Sequence, residues 1–312
     1  MTVTVLKPGM LTTLQSQPRS GMRHLGVPSG GAADTLSLAL ANRLVGNAWH
    51  ATALEMTMLG PVLRFDSESA IAIAGAPLQA TLNGKPLDCH ATVFAKPGDE
   101  LNAGGTTVGA RSYIAIAGGF DADDVLGSTS TNLQAGFGGL QGRALQNGDI
   151  LGFASGDTDV LRTPVGFIPP FTSSWALRTC ESFETGLLDD ADDLFETNWT
   201  VSQRADRMGL QLDGGRLGVA SDGRMASAGV FPGAIQCPQD GSPFLLSVDS
   251  GTVGGYPRVG HVARADRHLL GQLRPGDHVR LLRREPDEAV AELRAKIDYW
   301  RAWLPDIEAI LQ

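Results

Sequence analysis

A run of polar residues and glycines late in the chain has the residue types of a small-molecule site. Residues 249–257 read DSGTVGGYP and follow an apolar segment, 244–248, that is typical of a strand. Asp249 offers a carboxylate and Tyr256 a phenol, while the glycines permit unusual backbone angles and close approach of a ligand. The pattern predicts a polar pocket lining at the carboxyl end of that strand. The alternative is a buried turn in which Tyr256 is a packing residue.

A second polar group is the arginine at position 207, in the segment 202–209 that reads SQRADRMG. A guanidinium presents a planar fork of donors that suits a carboxylate. Two interpretations stay open. Arg207 binds an anionic ligand, or it forms half of a structural ion pair with Asp206 or Asp213.

The common catalytic motifs are absent from the sequence. The six histidines form neither HxH nor HExxH, so we predict no metal site. The glycine-rich stretch 136–142 lacks the GK[ST] ending and a following helix, which argues against a phosphate loop for ATP. Because neither GxSxG nor SxxK occurs, a self-contained serine hydrolase is not expected.

The composition is that of a globular protein with few cysteines. The 312 residues include 25 Lys and Arg against 34 Asp and Glu, a formal charge of −9, and 42% are hydrophobic. Nucleic-acid binding needs a basic face, so no nucleic-acid partner is expected. Three dispersed cysteines indicate reduced thiols, and neither a signal peptide nor a membrane-length apolar run is recognised. We therefore expect a cytoplasmic protein without membrane contact.

Short strand-like runs separated by glycine turns dominate the first half. Residues 70–74 (AIAIA) and 113–117 (YIAIA) predict tightly packed strands in which alanine lets an opposing sheet approach. Asn83-Gly84 predicts a type I′ hairpin. Three similar turns precede strand-like segments, at 96–99 (KPGD), 146–149 (QNGD) and 274–277 (RPGD). They predict two related barrel-like units, each closed by a final strand after its turn.

Helical periodicity occurs at two places. Leu36, Leu40 and Leu44 share one face of a helix predicted at 35–44, which Gly46 ends. Apolar residues recur every three or four positions between 290 and 304 and predict a C-terminal helix. A stretch rich in turn residues and proline at 155–170 marks a boundary. The predicted domains are therefore 1–160 and 161–284, followed by a helix at 285–312.

Two segments of the second half carry charge of opposite sign. Residues 181–196 contain seven acidic side chains and no basic one, whereas 258–284 contain seven arginines against two aspartates. We expect two solvated surfaces that attract each other.

Motifs in the same order along most of the chain resemble those of one known family. They include 26–30 (GVPSG), 41–47 (ANRLVGN), 111–113 (RSY), 126–131 (LGSTST), 138–143 (GGLQGR), 206–209 (DRMG), 233–238 (GAIQCP), 254–257 (GGYP) and 272–277 (QLRPGD). This set is similar to that of the biotin-dependent carboxyltransferase-like family, which covers allophanate hydrolase subunit 2 and urea amidolyase-related proteins. Its bacterial members include the C subunit of the ATP-dependent 5-oxoprolinase.

The resemblance implies a mainly β chain of two cyclophilin-like β-barrel domains, with a short helix in the N-terminal half and a C-terminal helix. It implies a hydrolase subunit, inactive alone, in a complex that opens the lactam of 5-oxoproline to glutamate. Its expected partners are a first-type subunit of related fold and a lactam-utilisation subunit. The complex would use ATP, and no cofactor is expected on this chain alone.

Two other functions stay open. Urea carboxylase and allophanate hydrolase-like relatives move a carboxyl group from carboxybiotin to urea, so biotin, on a separate carrier, is expected only under this alternative. Some relatives are non-catalytic and act as antagonists of a kinase inhibitor by sequestering it.

The residue chemistry and the resemblance together predict the site. The expected catalytic groups are Asp249, Tyr256 and Asp34. The expected substrate-binding residues are Arg207, Arg19, Gln236, Gly254, Gly255 and Ser128. A small lactam or urea needs hydrogen-bond partners for its amide, and a carboxylate needs an anion fork such as Arg207 or Arg19.

Three loops depart from the pattern of the family. Ser16 and Pro18 stand where relatives have an acidic residue and glycine, Thr179 and Cys180 where they have Gly-Pro, and Gly251 and Val253 where they have Gln and Thr. The changes alter backbone freedom and hydrogen-bonding capacity. They predict a divergent paralogue that retains the fold, with its catalytic activity left open.

Overall fold

The computed structural model describes residues 1–220 and 225–311. Contacts divide the chain into two compact units. The first comprises Met1–Arg19, Gly30–Phe171 and Trp303–Ile310, and the second comprises Ser20–Ser29, Thr172–Ala302 and Leu311. The domain limits drawn from the sequence at 160 and 284 stay a prediction.

The first unit contains eleven strands in two antiparallel sheets. The strands are β1 (Thr2–Lys7), β2 (Leu11–Gln15), β3 (Ala53–Thr57), β4 (Val62–Phe65), β5 (Ser69–Gly75), β6 (Thr81–Leu82), β7 (Lys85–Pro86), β8 (Val93–Ala95), β9 (Glu100–Asn102), β10 (Arg111–Ile116) and β11 (Ile150–Gly152). One sheet has the order β11-β1-β4-β9-β6-β7 and the other β2-β3-β10-β5-β8. The unit also holds α1 (Thr35–Leu44), α4 (Ile307–Ile310) and a 3-10 turn at Val165–Phe167.

The two Ala-Ile runs are the central strands β5 and β10, which pair with Ile114 opposite Ile73 and Ile116 opposite Ile71. These isoleucines belong to the main core cluster of the unit. Because side chains alternate along a strand, the alanines lie on the other face, where α1 packs against β5 and β10. The small side chains therefore admit a helix, and not the opposing sheet that the sequence predicts.

The predicted turns are confirmed. Asn83 and Gly84 both have positive φ, at 53° and 75°, as a type I′ hairpin requires. The glycines of the three Gly-Asp turns have nearly equal φ, 89° at Gly98, 88° at Gly148 and 90° at Gly276. In each turn the aspartate carboxylate accepts a hydrogen bond from the backbone N–H three residues earlier.

The second unit contains a closed barrel and a separate two-stranded ribbon. Its strands are β12 (Ser174–Cys180), β13 (Trp199–Ala205), β14 (Gly209–Asp213), β15 (Ala228–Gly229), β16 (Ala234–Gln236), β17 (Phe244–Leu246), β18 (Val253–Gly254), β19 (Arg258–Val262) and β20 (His278–Arg283). The barrel has seven strands in the order β12-β19-β16-β17-β14-β13-β20, and β15 pairs with β18 in the antiparallel ribbon. The helices are α2 (Asp192–Glu196) and α3 (Pro286–Trp300), with 3-10 turns at Arg23–Leu25, Thr185–Leu187 and Arg264–Gln272.

The mainly β fold, the short first helix and the C-terminal helix are confirmed. The strand after each closing turn pairs with the first strand of its unit: β11 with β1, and β20 with β12. Helix α1 ends at Leu44, and Gly46 follows with φ of 72°. The C-terminal helix is shorter than the predicted 285–312, because Pro305 disfavours helical backbone at the residue before it. Helix α3 thus ends at Trp300, and α4 begins at Ile307.

The charged segments of the second unit pair with each other, as the sequence predicts. Glu184 binds Arg258 through both carboxylate oxygens. The hydrogen bond from Arg258 lowers the pKa of the Glu184 carboxyl below its ordinary value. Arg283 lies 3.1 Å from Glu181 and also pairs with Asp192. Across residues 1–220 and 225–311, no helix combines the length and apolar character needed to cross a membrane.

Candidate functional site

Two predicted site residues, Arg207 and Asp249, form a buried ion pair in the second unit. Arg207 lies in the bend between β13 and β14, and Asp249 follows β17. The guanidinium Nε is 2.7 Å from Oδ2 of Asp249, and a terminal nitrogen is 3.1 Å from Oδ1. Only 5% and 6% of the two side chains are exposed. The pair is therefore bidentate and shielded from water, a geometry in which charge-assisted hydrogen bonds are strong.

Two backbone hydrogen bonds also join the two loops that carry this ion pair. The N–H of Asp249 donates to the carbonyl of Arg207 at 2.9 Å, and Ser247 donates to Met208 at 3.0 Å. Asp206, a possible partner on sequence grounds, instead accepts hydrogen bonds from the backbone N–H groups of Met208 and Gly209. The structural ion pair predicted for Arg207 thus exists, but with Asp249 in place of Asp206 or Asp213.

A cavity of about 370 Å³ lies beside the loops that carry this pair. Ser250 and Gly251 line it together with residues of the β13–β14 hairpin and of β17. Ser250 is only 1% exposed, and its hydroxyl has no hydrogen-bond partner in the described part of the chain. A buried hydroxyl without a partner is costly, so this group next to Asp249 is one that a polar partner would stabilise.

The glycines before Tyr256 make room for a neighbouring side chain. A Cβ placed on Gly254 would lie 2.4 Å from Nε2 of Gln236. That amide donates to the carbonyl of Tyr256 at 3.4 Å. Neither Gly254 nor Gly255 has a positive φ, because Val253–Gly254 is extended in the ribbon with β15. The unusual backbone angles predicted from the sequence are therefore wrong here. The close neighbour that the structure shows is the Gln236 side chain, and the close approach of a ligand stays a prediction.

Tyr256 is 49% exposed, so it does not have the buried position of a packing residue. The buried-turn alternative for this phenol is therefore wrong. Gln236 is 7% exposed and lies at the end of β16. The structure thus places Gln236, Gly254 and Tyr256 next to each other in the second unit.

Asp34 lies in the first unit, where it is the N-cap of α1. Its carboxylate accepts hydrogen bonds from the backbone N–H of Ser37 at 3.0 Å and from the Ser37 hydroxyl at 2.6 Å. The residue is 2% exposed, and its own N–H donates to the hydroxyl of Tyr113. Tyr113 in turn donates to buried Glu55 at 2.7 Å. Burial is the main cause that raises the Tyr113 pKa well above its ordinary value.

Arg19 and Ser128 also meet in the first unit. The Arg19 guanidinium donates to the carbonyls of Val125, Ser128 and Ser130, and it lies 4.7 Å from the ring centroid of Phe137. Arg19 is 1% exposed. These contacts hold the loop 125–137 in place. The sequence instead predicts that the Arg19 guanidinium binds a carboxylate of the substrate. Ser16, one of the altered positions, also lies here and hydrogen-bonds with Thr129 at 2.8 Å.

Arg23 contacts the loop of Asp249, although the sequence patterns do not single it out. It donates to the carbonyl of Val230 at 2.6 Å and to that of Gly251 at 2.8 Å, and so connects the residue after β15 with the loop of Asp249. Burial lowers the pKa of its guanidinium. The signal available in the sequence was a basic residue in a short segment between two glycines, Gly21 and Gly26. In the structure the φ angles of these glycines are 78° and 82°. Such glycines mark a tightly folded loop.

A second, larger cavity of about 440 Å³ also lies in the second unit. Its wall includes Phe183, Phe231, His261 and the Glu184–Arg258 pair. None of the site residues predicted from the sequence lines it. Within residues 1–220 and 225–311, no group of three or more His, Cys, Asp or Glu side chains is arranged to hold a metal ion.

Comparison with known proteins identifies similar chains. Residues 25–283 match the family described as "Carboxyltransferase domain, subdomain A and B". The chain is 33% identical to the 5-oxoprolinase C subunit of Escherichia coli over 299 residues, 95% of both chains. It is 32% identical to urea amidolyase of Saccharomyces cerevisiae over 304 residues, which are 90% of this chain and 16% of that one. The crystal structure of the K. lactis urea amidolyase superposes with a TM-score of 0.91 at 29% identity, over 97% of this chain and 20% of that one.

Proposed function

Because the chain belongs to the carboxyltransferase-domain family of subdomains A and B, we propose that it is a subunit of an ATP-dependent 5-oxoprolinase. One observation favours 5-oxoprolinase over urea amidolyase within this family. The alignment covers 95% of the E. coli 5-oxoprolinase chain, whereas this chain spans less than a fifth of the yeast urea amidolyase. The similarity therefore extends over nearly the whole of the former protein and over one region of the latter.

In the proposed reaction, water adds to the lactam carbonyl of 5-oxoproline, the ring C–N bond breaks and glutamate forms, while ATP is hydrolysed. We assign ATP to another part of the complex, because this sequence has no phosphate loop. The expected partners are a first-type subunit of related fold and a lactam-utilisation subunit. The chain alone is expected to be inactive.

The residues of the second unit suit a small polar amide. A cavity of about 370 Å³ is in the range of small-ligand sites, and the buried Ser250 hydroxyl can donate to a carbonyl or accept from an N–H. In this proposal Asp249 supplies a carboxylate whose orientation Arg207 maintains, and Tyr256 supplies a phenol. Gln236, Gly254 and Gly255 shape the surroundings of Tyr256. The catalytic role of Asp34 and the substrate contacts of Arg19 and Ser128 stay predictions.

The test is reconstitution of the complex from this chain, a first-type subunit and a lactam-utilisation subunit. With ATP and 5-oxoproline, we expect glutamate and ADP in equal amounts, and no glutamate when this chain is left out. An Asp249→Asn complex that assembles normally should lose most of its turnover. If the complete complex leaves 5-oxoproline unchanged in the presence of ATP, the proposal is wrong.

The second candidate is the carboxyltransferase part of a urea carboxylase-like system. The TM-score of 0.91 to the K. lactis enzyme over 97% of this chain favours it. Biotin would then be needed on a separate carrier, and the polar groups of the smaller cavity, Ser250 and the backbone of its loop, can hydrogen-bond a ureido ring. Transfer of labelled carboxyl from carboxybiotin to urea by this chain, without 5-oxoproline hydrolysis, would select this candidate. Binding to a first-type subunit without either activity would instead favour the regulatory alternative.

A further inference from the structure

The larger cavity of the second unit has three rings on its wall. Phe183 is fully exposed and Phe231 is 38% exposed, so both phenylalanines present apolar surface to the solvent. The rings of Phe231 and His261 lie 6.2 Å apart with an interplanar angle of 67°, which is an edge-to-face arrangement. Ala234 and Gly260 also line the cavity. A concave wall with this lining suits a flat apolar group.

Each charged side chain that the described residues contribute to this wall is already paired within the unit. Glu184 binds Arg258 through both carboxylate oxygens, and Glu181 lies 3.1 Å from Arg283. A ligand carboxylate would therefore approach two glutamates. A ligand cation would approach Arg258 and also Arg267, whose guanidinium carbon lies behind the Phe231 ring at 5.5 Å from its centroid. Because either charge would lose hydration without gaining a counter-ion, the wall favours an uncharged ligand.

The His261 ring gives this wall a polar group that is uncharged near pH 7. Burial, together with the nearby Arg267 charge, lowers the pKa of His261 below its ordinary value of 6.5. A neutral imidazole has one donor and one acceptor nitrogen. It can therefore hydrogen-bond an amide or a hydroxyl group of an uncharged ligand.

Hydrogen bonds to β19 fix the segment 182–185, which carries Phe183. The Ser182 hydroxyl donates to the carbonyl of Arg258, and the N–H of Arg258 donates to the Glu184 carboxylate at 2.6 Å. A ligand would thus meet a wall that is largely preformed, which reduces the entropy cost of binding.

We propose that this cavity binds a small organic molecule with an uncharged aromatic ring, which lies against Phe183 and Phe231 and hydrogen-bonds with His261. The volume of about 440 Å³ is in the range of small-ligand sites. The site is separate from the groups that we assign to the reaction, Asp249 and Tyr256, and it does not depend on the 5-oxoprolinase activity. Because 5-oxoproline is an anion near pH 7, it is not the expected ligand of this cavity.

The experiment compares three planar probes of the same shape and different charge: neutral benzamide, anionic benzoate and cationic benzamidine. Their dissociation constants for the full chain are measured at pH 7 by ligand-observed NMR titration. We expect a dissociation constant of about 1 mM for benzamide, which is typical of so small a ligand. Each charged probe should bind about tenfold more weakly, because its charge finds no free partner on the wall.

Two variants locate the bound probe. Phe231→Ala and Phe183→Ala should each weaken benzamide binding about tenfold, the effect of returning about 50 Å² of apolar surface to water. Because Phe183 is fully exposed, Phe183→Ala should unfold at the wild-type temperature and provides the test even if Phe231→Ala does not fold. The matched control is Phe94→Ala, which removes a 48% exposed phenylalanine of β8 in the first unit and should keep the wild-type affinity.

Three results would overturn the proposal: no binding of benzamide, equally tight binding of a charged probe, or wild-type affinity in the folded phenylalanine variants. Turnover of 5-oxoproline by the reconstituted complex is measured separately. If the complex is inactive but benzamide binds as expected, the cavity proposal stands and the proposed function is wrong. If the complex is active but benzamide does not bind, the function stands and the cavity proposal is wrong.

Discussion

The amide of Gln236 occupies the space in which a side chain at Gly254 would have to lie. The missing Cβ would be 2.4 Å from Nε2 of Gln236, much closer than van der Waals contact allows. Because Nε2 is the far end of a flexible side chain, an added methyl group at position 254 would move the Gln236 amide and leave the backbone in place. This close contact also connects the ribbon strand β18 to the barrel strand β16 next to Tyr256.

Gly254→Ala should displace the Gln236 amide and lower turnover of the reconstituted complex at least about tenfold, since a small misplacement near the chemistry has a large effect on rate. The loss in free energy of unfolding should be only about 1 kcal/mol, the low end of the cost of overpacking, because the displaced amide ends a flexible side chain. Gly229→Ala on the neighbouring strand is the control, because nothing lies within 4 Å of its added methyl group. Equal effects of both variants on turnover would contradict this explanation.

Breaking the buried pair by Arg207→Gln or Asp249→Asn should lower the free energy of unfolding by about 3–5 kcal/mol, because each change leaves one buried charge without its partner. The double variant should be less destabilised than the sum of the two single variants. Denaturation with urea measures all three. As a control, Arg216→Gln disrupts a pair that is 67% and 62% exposed and should cost less than about 1 kcal/mol. An additive double variant would show that the pair contributes no coupling.

Tyr256→Phe should lower kcat at least about tenfold if the phenol takes part in proton transfer or hydrogen-bonds the reacting group. The free energy of unfolding should change by less than about 0.5 kcal/mol, because the side chain is 49% exposed. Tyr299→Phe on α3, where the side chain is 52% exposed, is the matched control and should keep full activity. A parallel loss of stability and activity in Tyr256→Phe would mean that the hydroxyl has a structural role only.

Variants of Asp34 separate helix capping from chemistry. Asp34→Ala removes the N-cap of α1 and should cost about 1 kcal/mol of stability, whereas Asp34→Asn can still cap and should cost only a few tenths. Thermal unfolding measures the difference. If Asp34→Asn also retains full turnover in the complex, the carboxylate is not catalytic. A stable Asp34→Asn chain without activity would instead support the predicted catalytic role.

His90 should make the first unit less stable in mild acid. Burial is the main cause that lowers its pKa from 6.5 to about 4, so the folded chain stays unprotonated where the unfolded chain binds a proton. The stability that depends on neutral His90 is complete above the unfolded pKa of about 6.5 and is lost as the pH falls towards 4. At about 1.4 kcal/mol for each pKa unit, the loss reaches about 3 kcal/mol.

The comparison of pH 7 with pH 4 should therefore show a smaller loss for His90→Asn than for the wild type. Asparagine suits this test because His90 has a φ of 58°, a region that asparagine adopts readily. His50→Asn, at an exposed position, should keep the wild-type pH dependence. Urea unfolding at several pH values measures how the free energy of unfolding changes with pH. If this change is the same in His90→Asn as in the wild type, His90 is not the cause of the acid instability.

Local features could be predicted because their causes lie within a few residues. The Asn83-Gly84 hairpin, the three Gly-Asp turns and the end of α1 before Gly46 depend on backbone conformations that only certain residues adopt at low cost. The attraction between 181–196 and 258–284 was also predictable, since opposite charges pair wherever the fold allows it. The ordered motifs along the chain identified the family, which the comparisons confirm.

The partners of single polar side chains depended on the tertiary structure. Residues 42 apart in sequence, Arg207 and Asp249, pair because the β13–β14 bend and the loop after β17 end side by side, which no spacing along the chain reveals. Arg19 binds the carbonyls of a distant loop for the same reason, since hydrogen bonds and ion pairs reach only a few ångströms. The sequence by itself determined the turns, the first helix, the mainly β fold and the family. Only the tertiary structure decided which of its charged groups pair with each other, because such contacts join residues that are far apart in sequence.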